Sequence, residues 1–299
     1  MGHRILYVER SNEFHLYLDN LRIENEKGEL LFPISDILIL VIDNYKSKLT
    51  VQLINKLTEY NVCTILCGID HLPKSYIMPM NGHYAQSGNI QKQIGWTKEQ
   101  KNIIHQKIIQ AKIFNQIDNL RKNNCDKKVI FKLQQYLLEV DEGDTGNREG
   151  LSAKLYFREL FGDDFIRFDN DVINAGLNYG YSIFRSLITS IVVAKGYLPN
   201  LGFFHVGKTN MFNLSDDIIE VFRPIVDDYV YNNLRDEILF KEKHREDLIQ
   251  LVLYKTRIDD KNQTVYNAIN IYIDNILYCI ETNDYSNFVF PSIRVINDL

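Results

Sequence analysis

Ile37-Leu38-Ile39-Leu40-Val41-Ile42 is the longest uninterrupted apolar run in the chain. It is far short of the ~20 residues needed to cross a bilayer, so no membrane span is expected. Its β-favouring side chains predict a strand. Because it lacks polar alternation, that strand must be covered on both faces. The chain must therefore build a layered sheet, and 299 residues are enough to do so without disulfides or a structural metal. At about 150 residues per domain, this length suggests two domains.

The neighbouring segments fit that picture. Arg4 to Arg10 and Phe14 to Leu18 read as short strands separated by Ser11, Asn12 and Glu13, a hairpin signal. Leu21 to Glu24 and Leu30 to Pro33 flank a turn at Asn25-Glu26-Lys27-Gly28. Ser47 to Tyr60 has helical spacing through Leu49, Leu53, Ile54 and Leu57, and Val62 to Leu66 returns to strand. Residues 1–78 thus read as a β-rich domain with one helix. Residues 79–95, with Pro79, Gly82, Ser87 and Gly88 and no sustained period, read as a linker.

After Trp96 the period changes. Thr97 and Gln100 form a capping box ahead of a long helix. Ile103, Ile109, Ile113, Phe114, Ile117 and Leu120 fall within a stripe of about 140°. Lys98, Lys101, His105 and Lys112 fall within about 60° on another side. A second long helix is expected from about Asp171 to Lys195, closed by Gly196 and followed by Pro199. Gly176 and Gly180, one turn apart on it, permit close helix approach. A third helix is expected from an N-cap at Ser215, with Asp216 and Asp217 in its first turn and Pro224 kinking it. The remainder to Leu299 reads as further helices with a ragged end. The fold class is therefore α+β: a β-rich N-terminal domain, a linker, and a larger all-helical C-terminal domain over 96–299.

Charge narrows the possible partners. The net charge of −5 argues against nonspecific attraction of the whole chain to nucleic acid. From Lys92 to Lys132, however, ten Lys or Arg stand against three acids, a local excess of seven. That basic helix face is a candidate phosphate-backbone contact. The four cysteines include no C-x-x-C pair. Cys63 and Cys67, four apart on a strand, would lie roughly 13 Å apart, too far for a bridge. Reduced thiols in a cytoplasmic protein are expected. No secretory leader is evident at the N-terminus.

Two constellations could carry chemistry. Gly202 to Thr209 matches the G-x-x-x-x-G-K-[ST] phosphate loop, with Lys208 as its lysine. That loop needs a strand before it and a helix after it. Here a helix and Pro199 precede it, and the next cap is Ser215. A nucleotide-binding reading is disfavoured, although Asp43 after Ile37–Ile42 could mimic a Walker B strand. The second constellation is Glu149 near a helix start, His205 in a loop, and Glu220 one turn into another helix, with Asp217 on nearly the same face. Two carboxylates and an imidazole suit Mn²⁺ or Mg²⁺, with Zn²⁺ also possible. Spacing alone makes this a weak signal.

Asn147-Arg148-Glu149-Gly150 through Ala153-Lys154-Leu155-Tyr156-Phe157 resembles the first active-site helix of the CRISPR adaptation integrase, the universal endonuclease-integrase of spacer acquisition. Asn174 to Arg185, NAGLNYGYSIFR, resembles that family's most recognisable helix, and Leu201 to Asp227 its last two active-site segments. Two positions depart from the pattern. Phe204 stands where the family often has a second His, and Val221 where it often has Pro. The length and Gly82-His83-Tyr84 resemble the branch found with single-protein RNA-guided effectors.

The resemblance implies that Glu149, His205 and Glu220 are catalytic metal ligands, with Asp217 near the site and Mg²⁺ or Mn²⁺ as the cofactor. It implies strand transfer, in which the 3′-hydroxyls of captured double-stranded DNA fragments attack CRISPR repeat DNA. His205 could instead act as a proton carrier. It further implies a homodimer clamping a small ferredoxin-like partner dimer. The ring-shaped DNA-end-binding adaptation protein and the RNA-guided effector nuclease are further partners it suggests. Lys98, Lys101, His105, Lys112 and Lys208 are the candidate DNA contacts. The alternatives are a metal-dependent nuclease on branched DNA without integration, and a noncatalytic DNA-end scaffold.

Overall fold

The computed structural model describes residues 4–10, 13–25 and 28–297. The turns expected at Ser11-Asn12 and Glu26-Lys27, and the chain end at Asp298-Leu299, lie outside the described residues. The chain divides into two compact units, one of residues 1–89 with 189–197 and one of residues 90–188 with 198–299.

The first unit is built on the apolar run. The strands are β1 (Arg4–Val8), β2 (Glu13–Tyr17), β3 (Asn20–Asn25), β4 (Gly28–Pro33), β5 (Ile37–Ile42), β6 (Lys48–Leu49), β7 (Cys63–Cys67) and β8 (Pro73–Ile77), with helix α1 (Val51–Glu59) before β7. β5 is buried along its whole length and pairs in parallel with β1 on one side and β7 on the other, while β8 closes the order β1-β5-β7-β8 antiparallel. A second sheet runs β4-β3-β2-β6. Phe14, Leu21 and Ile23 from that sheet, Leu40 and Ile42 from β5, and Leu53 and Leu57 from α1 share one core.

Two expectations fail here. β1 and β2 do not form a hairpin, because β1 joins β5 in the other sheet and β2 turns instead into β3. The real hairpin turns at Leu18 and Asp19, both with positive φ, and the Asn20 side-chain amide donates to the Leu18 carbonyl. A two-residue hairpin needs that backbone twist, which Asn-Gly would have announced and Leu-Asp does not. The first helix begins after Thr50, whose hydroxyl accepts from the Leu53 N–H, because Lys48 and Leu49 are drawn into the sheet beside β2.

The second unit is mainly helical. Its helices are α2 (Gln86–Gly95, beginning in the first unit), α3 (Lys98–Lys122), α4 (Lys127–Glu139), α5 (Arg148–Phe161), α6 (Val172–Ala194, ending in the first unit), α7 (Asn213–Ile219), α8 (Arg223–Asn233), α9 (Glu242–Gln250) and α10 (Val265–Thr282). Strands β9 (Lys255–Ile258), β10 (Lys261–Thr264) and β11 (Ser292–Asn297) form a small sheet, so this part is not all-helical. β9 and β10 turn through Asp259 and Asp260, both at positive φ, without an apolar alternation to announce them. α2 occupies more than half of the stretch expected to be irregular. Most of it faces solvent and only Gln93 is buried, so it carries no apolar period.

α3 has the expected capping box but not the expected amphipathicity. It is buried around most of its circumference, with His105, Lys112, Asn115, Gln116, Asp118 and Asn119 inside along with its isoleucines. The Asn115 amide donates to the Val221 and Pro291 carbonyls, so a polar row holds neighbouring segments. The α6 glycines behave as expected. A Cβ on Gly176 would strike Leu234, and one on Gly180 would lie 2.5 Å from Val226, so α8 packs directly on the α6 backbone. Among the described residues, no helix is long and apolar enough to cross a membrane, and all four cysteines are free.

Candidate metal centre

The site is assembled at helix ends in the second unit. Asn147, in the left-handed conformation, caps α5 by accepting from the Gly150 N–H. Asp144 accepts from the N–H groups of Arg148 and Glu149, at 2.8 and 2.9 Å. Together they fix Glu149 in the first turn, where the positive end of the helix dipole favours a carboxylate.

Glu220 lies where the chain breaks between α7 and α8. The expected kink is a full interruption, because Pro224 sits in the first turn of a new helix instead of inside an old one. α7 also starts two residues before the expected cap. Ser215 is buried within it, and the Asn213 amide reaches the Asn200 and Gly207 carbonyls.

Asp217, expected in a first turn beside a helix dipole, instead organises the preceding loop. Its Oδ2 accepts from the Phe203 and Phe204 N–H groups at 2.5 and 3.1 Å. Its Oδ1 accepts from the His205 N–H at 3.0 Å and lies 2.6 Å from His205 Nδ1. Nδ1 therefore carries the hydrogen and Nε2 keeps its lone pair. Gly202 permits the wrap, since a Cβ there would lie 2.6 Å from Asp217 Oδ2. The carboxylate raises the His205 pKa, against the effect of burial. Gly202–Thr209 is neither preceded by a strand nor followed directly by a helix, so the phosphate-loop context is absent.

Glu149 and Glu220 point at one cation, the ammonium of Lys112. Lys112 Nζ lies 2.7 Å from Glu149 Oε1 and 2.5 Å from Glu220 Oε2. The lysine side chain is only 9% exposed and that of Glu220 only 6%. Arg223 Nε binds the other Glu220 oxygen at 2.9 Å. Burial would raise the Glu220 pKa, but Arg223 and Lys112 outweigh it and hold the carboxyl down at about 2. Burial likewise works against the charge on Lys112, and Glu220 and Glu149 more than compensate.

The ligand atoms of Glu149, His205 and Glu220 do not all close within 4.8 Å of one another. Among the described residues that spacing is met by Glu9, Asp43 and His71 and by Glu13, His15 and Glu24, both in the first unit. The donor chemistry at Glu149 and Glu220 nevertheless fits a divalent ion. Two anionic oxygens converge on one positive group. Glu220 Oε2 is buried with the Lys112 ammonium against it, and both His105 ring nitrogens are buried without a hydrogen-bond partner. The His105 ring stacks on Phe204 at 3.9 Å, and its Nε2 lies 4.0 Å from Glu149 Oε2. Burial lowers the His105 pKa.

The basic face of α3 is thus divided. His105 and Lys112 are buried in the acidic site and do not form a solvent-facing DNA contact, whereas Lys98 and Lys208 are exposed and Lys101 is partly buried. Sequence reasoning missed Lys112 as the partner of the acids. Only its place on α3 among other buried polar residues distinguishes it, and charge periodicity assigned all of them to solvent.

The model of the family described as CRISPR associated protein Cas1 matches residues 6–261. The chain is 30% identical over 273 residues, 90% of each chain, to the CRISPR-associated endonuclease Cas1 of Neisseria meningitidis serogroup C (strain 8013). A CAS1 protein from Thermotoga maritima has a similar fold, with a TM-score of 0.76 and 16% identity, covering 93% of this chain and 97% of that one. A casposase bound to integration product gives a TM-score of 0.73 at 19% identity, covering 96% and 92%.

Proposed function

Because the chain belongs to the Cas1 family, we propose that it is a metal-dependent DNA endonuclease and integrase that joins the 3′-hydroxyl ends of captured DNA fragments into a CRISPR repeat array. The observation that carries this reading is the convergence of Glu149 and Glu220, from two separate helix ends, on one buried cation. Glu149, Glu220 and His205 would hold Mg²⁺ or Mn²⁺. Such an ion supplies Lewis-acid polarisation of the scissile phosphate.

The chain's own residues do the positioning. Asp217 fixes the His205 ring so that Nε2 faces outward as a ligand or proton carrier. Arg223 keeps Glu220 ionised. The attacking 3′-oxygen forms a bond to phosphorus, the phosphodiester at the repeat edge breaks, and the hydroxyl proton ends on the departing oxygen. One ester replaces another, so no nucleotide is consumed. Exposed Lys98 and Lys208, with Lys101, are the remaining candidates for the DNA track. The reading includes a homodimer on a small ferredoxin-like partner dimer, in the cytoplasm, in the branch found with single-protein effectors.

The test combines the protein, its small partner, fragments with free 3′-hydroxyls, and a repeat-bearing plasmid, with Mg²⁺ or Mn²⁺ and without ATP. Covalently joined products that disappear in Glu149→Gln and Glu220→Gln are expected. Cut but unjoined DNA would favour the branched-DNA nuclease, and full joining by both variants would overturn the site.

A further inference from the structure

Lys112 holds the place that a cation bridging Glu149 and Glu220 would take. Its ammonium reaches both carboxylates, and its side chain is almost wholly enclosed. Arg223 is already committed to the other Glu220 oxygen, so Lys112 is the positive charge between the two acids. A buried ammonium is tolerated only when paired, and a buried carboxylate brought against a half-buried one is tolerated only with a cation between them. A divalent ion would claim the same two oxygens, and like charges exclude one another at this range. Ammonium and metal are therefore alternatives.

The fold also offers the lysine somewhere to go. A cavity of about 150 Å³ beside it is lined by Lys112, Gln116, Tyr181 and Asp227, with Arg167 and Arg223 also on its wall. Gln116 is one helical turn on from Lys112 along α3, on the same face. Its Oε1 is buried and has no hydrogen-bond partner. That unpartnered acceptor, with the Asp227 carboxyl on the same cavity to offset Arg167 and Arg223, suits an ammonium, and a lysine stem has the rotational freedom to reach it.

We propose that Lys112 is a resident stand-in for the divalent ion: it neutralises Glu149 and Glu220 in the metal-free protein and swings toward Gln116 when the ion enters. This rests on the reading of Glu149 and Glu220 as metal ligands. Lys112 thereby sets metal affinity, because loading must first break its two ion pairs.

The experiment is calorimetric titration of the full-length, metal-free protein with Mn²⁺. Lys112→Met is expected to bind Mn²⁺ at least about tenfold more tightly than wild type, since hydrogen bonds to charged groups no longer have to be given up. Its metal-free form should melt lower and gain more from Mn²⁺. Gln116→Leu should weaken Mn²⁺ binding in the wild-type background and have no effect in Lys112→Met. If Lys112→Met does not fold, Lys112→Gln serves as the variant. Equal or weaker Mn²⁺ binding by a folded Lys112 variant overturns the proposal. If Glu149→Gln with Glu220→Gln still binds Mn²⁺ as wild type does, the ligand reading itself is wrong and the proposal falls with it. If that double variant loses binding while the Lys112 variants gain nothing, only the role of Lys112 is wrong.

Discussion

Replacing Asp217 with asparagine should cost both stability and metal affinity, and the structure says how. The carboxylate accepts from three consecutive backbone N–H groups and from His205 Nδ1, all within 3.1 Å. An amide keeps one oxygen. If that oxygen replaces Oδ2, the bonds to Phe203 and Phe204 survive, and the NH₂ group then faces two donors at His205. The His205 backbone N–H loses its charged acceptor, at about 1.5–3 kcal/mol, and Nδ1 keeps a partner only by giving up its hydrogen and accepting from the amide. That is a sizeable share of the stability of an ordinary domain. The His205 ring then donates from Nε2, so its lone pair no longer faces outward. Loss of such a supporting partner typically costs about 10–100-fold in metal affinity. Urea unfolding and Mn²⁺ calorimetry on Asp217→Asn measure the two effects. The raised His205 pKa adds a sign: the pair's stabilisation is full below the unfolded value and fades as pH rises through the folded one. Asp217→Asn should flatten that dependence. Mn²⁺ affinity within twofold of wild type, with unfolding within about 0.5 kcal/mol, would refute the argument.

Burial lifts the Asp227 carboxyl to about 7, so the folded chain holds a proton that the unfolded chain releases between about pH 4 and 7. Stability should fall by up to about 1.4 kcal/mol per pH unit across that window and level off above it, and Asp227→Asn should remove this part of the slope in urea unfolding. Gly180→Val should lower stability by about 1–3 kcal/mol, because α8 already touches the α6 backbone there, and an unchanged urea midpoint would contradict the packing. Neutralising Lys98 and Lys101 together should weaken DNA binding across sequences and lower the salt slope by about 0.9 per lost phosphate contact. Lys208→Ala should keep most joining activity without ATP, and obligatory ATP would revive the phosphate-loop reading.

What could be read from the sequence depended on how local its cause was. Ile37–Ile42, the Thr97 capping box and the start of α5 at Asn147 are decided within a few residues, and they stand as expected. Gly196, at positive φ, closes α6 for the same kind of reason. The partner of β1 is decided at β5, some thirty residues on, and no turn signal near Ser11 could report it. α3 misleads for a related reason. Its Lys112 looks like one of a row of surface cations until Glu149 and Glu220 arrive from distant parts of the chain. Charge periodicity records which residues share a face; it does not record whether that face meets water or acid.

The same distinction separates the two cations on Glu220. Arg223 is three residues away, at the start of α8, and its pairing with Oε1 forms as soon as the chain breaks at Glu220 and a new helix begins. It is a local partner, planar and permanently charged, well suited to a fixed pair. Lys112 reaches Oε2 across the unit on a flexible stem and pairs with it by charge. If Lys112 leaves, Arg223 remains, so Glu220 stays ionised through any exchange of the cation on its other oxygen. A lone carboxylate buried to this degree would take up a proton instead and lose its ability to bind a metal. The pairing of one fixed and one replaceable cation keeps the acid ready while leaving one of its oxygens open to exchange.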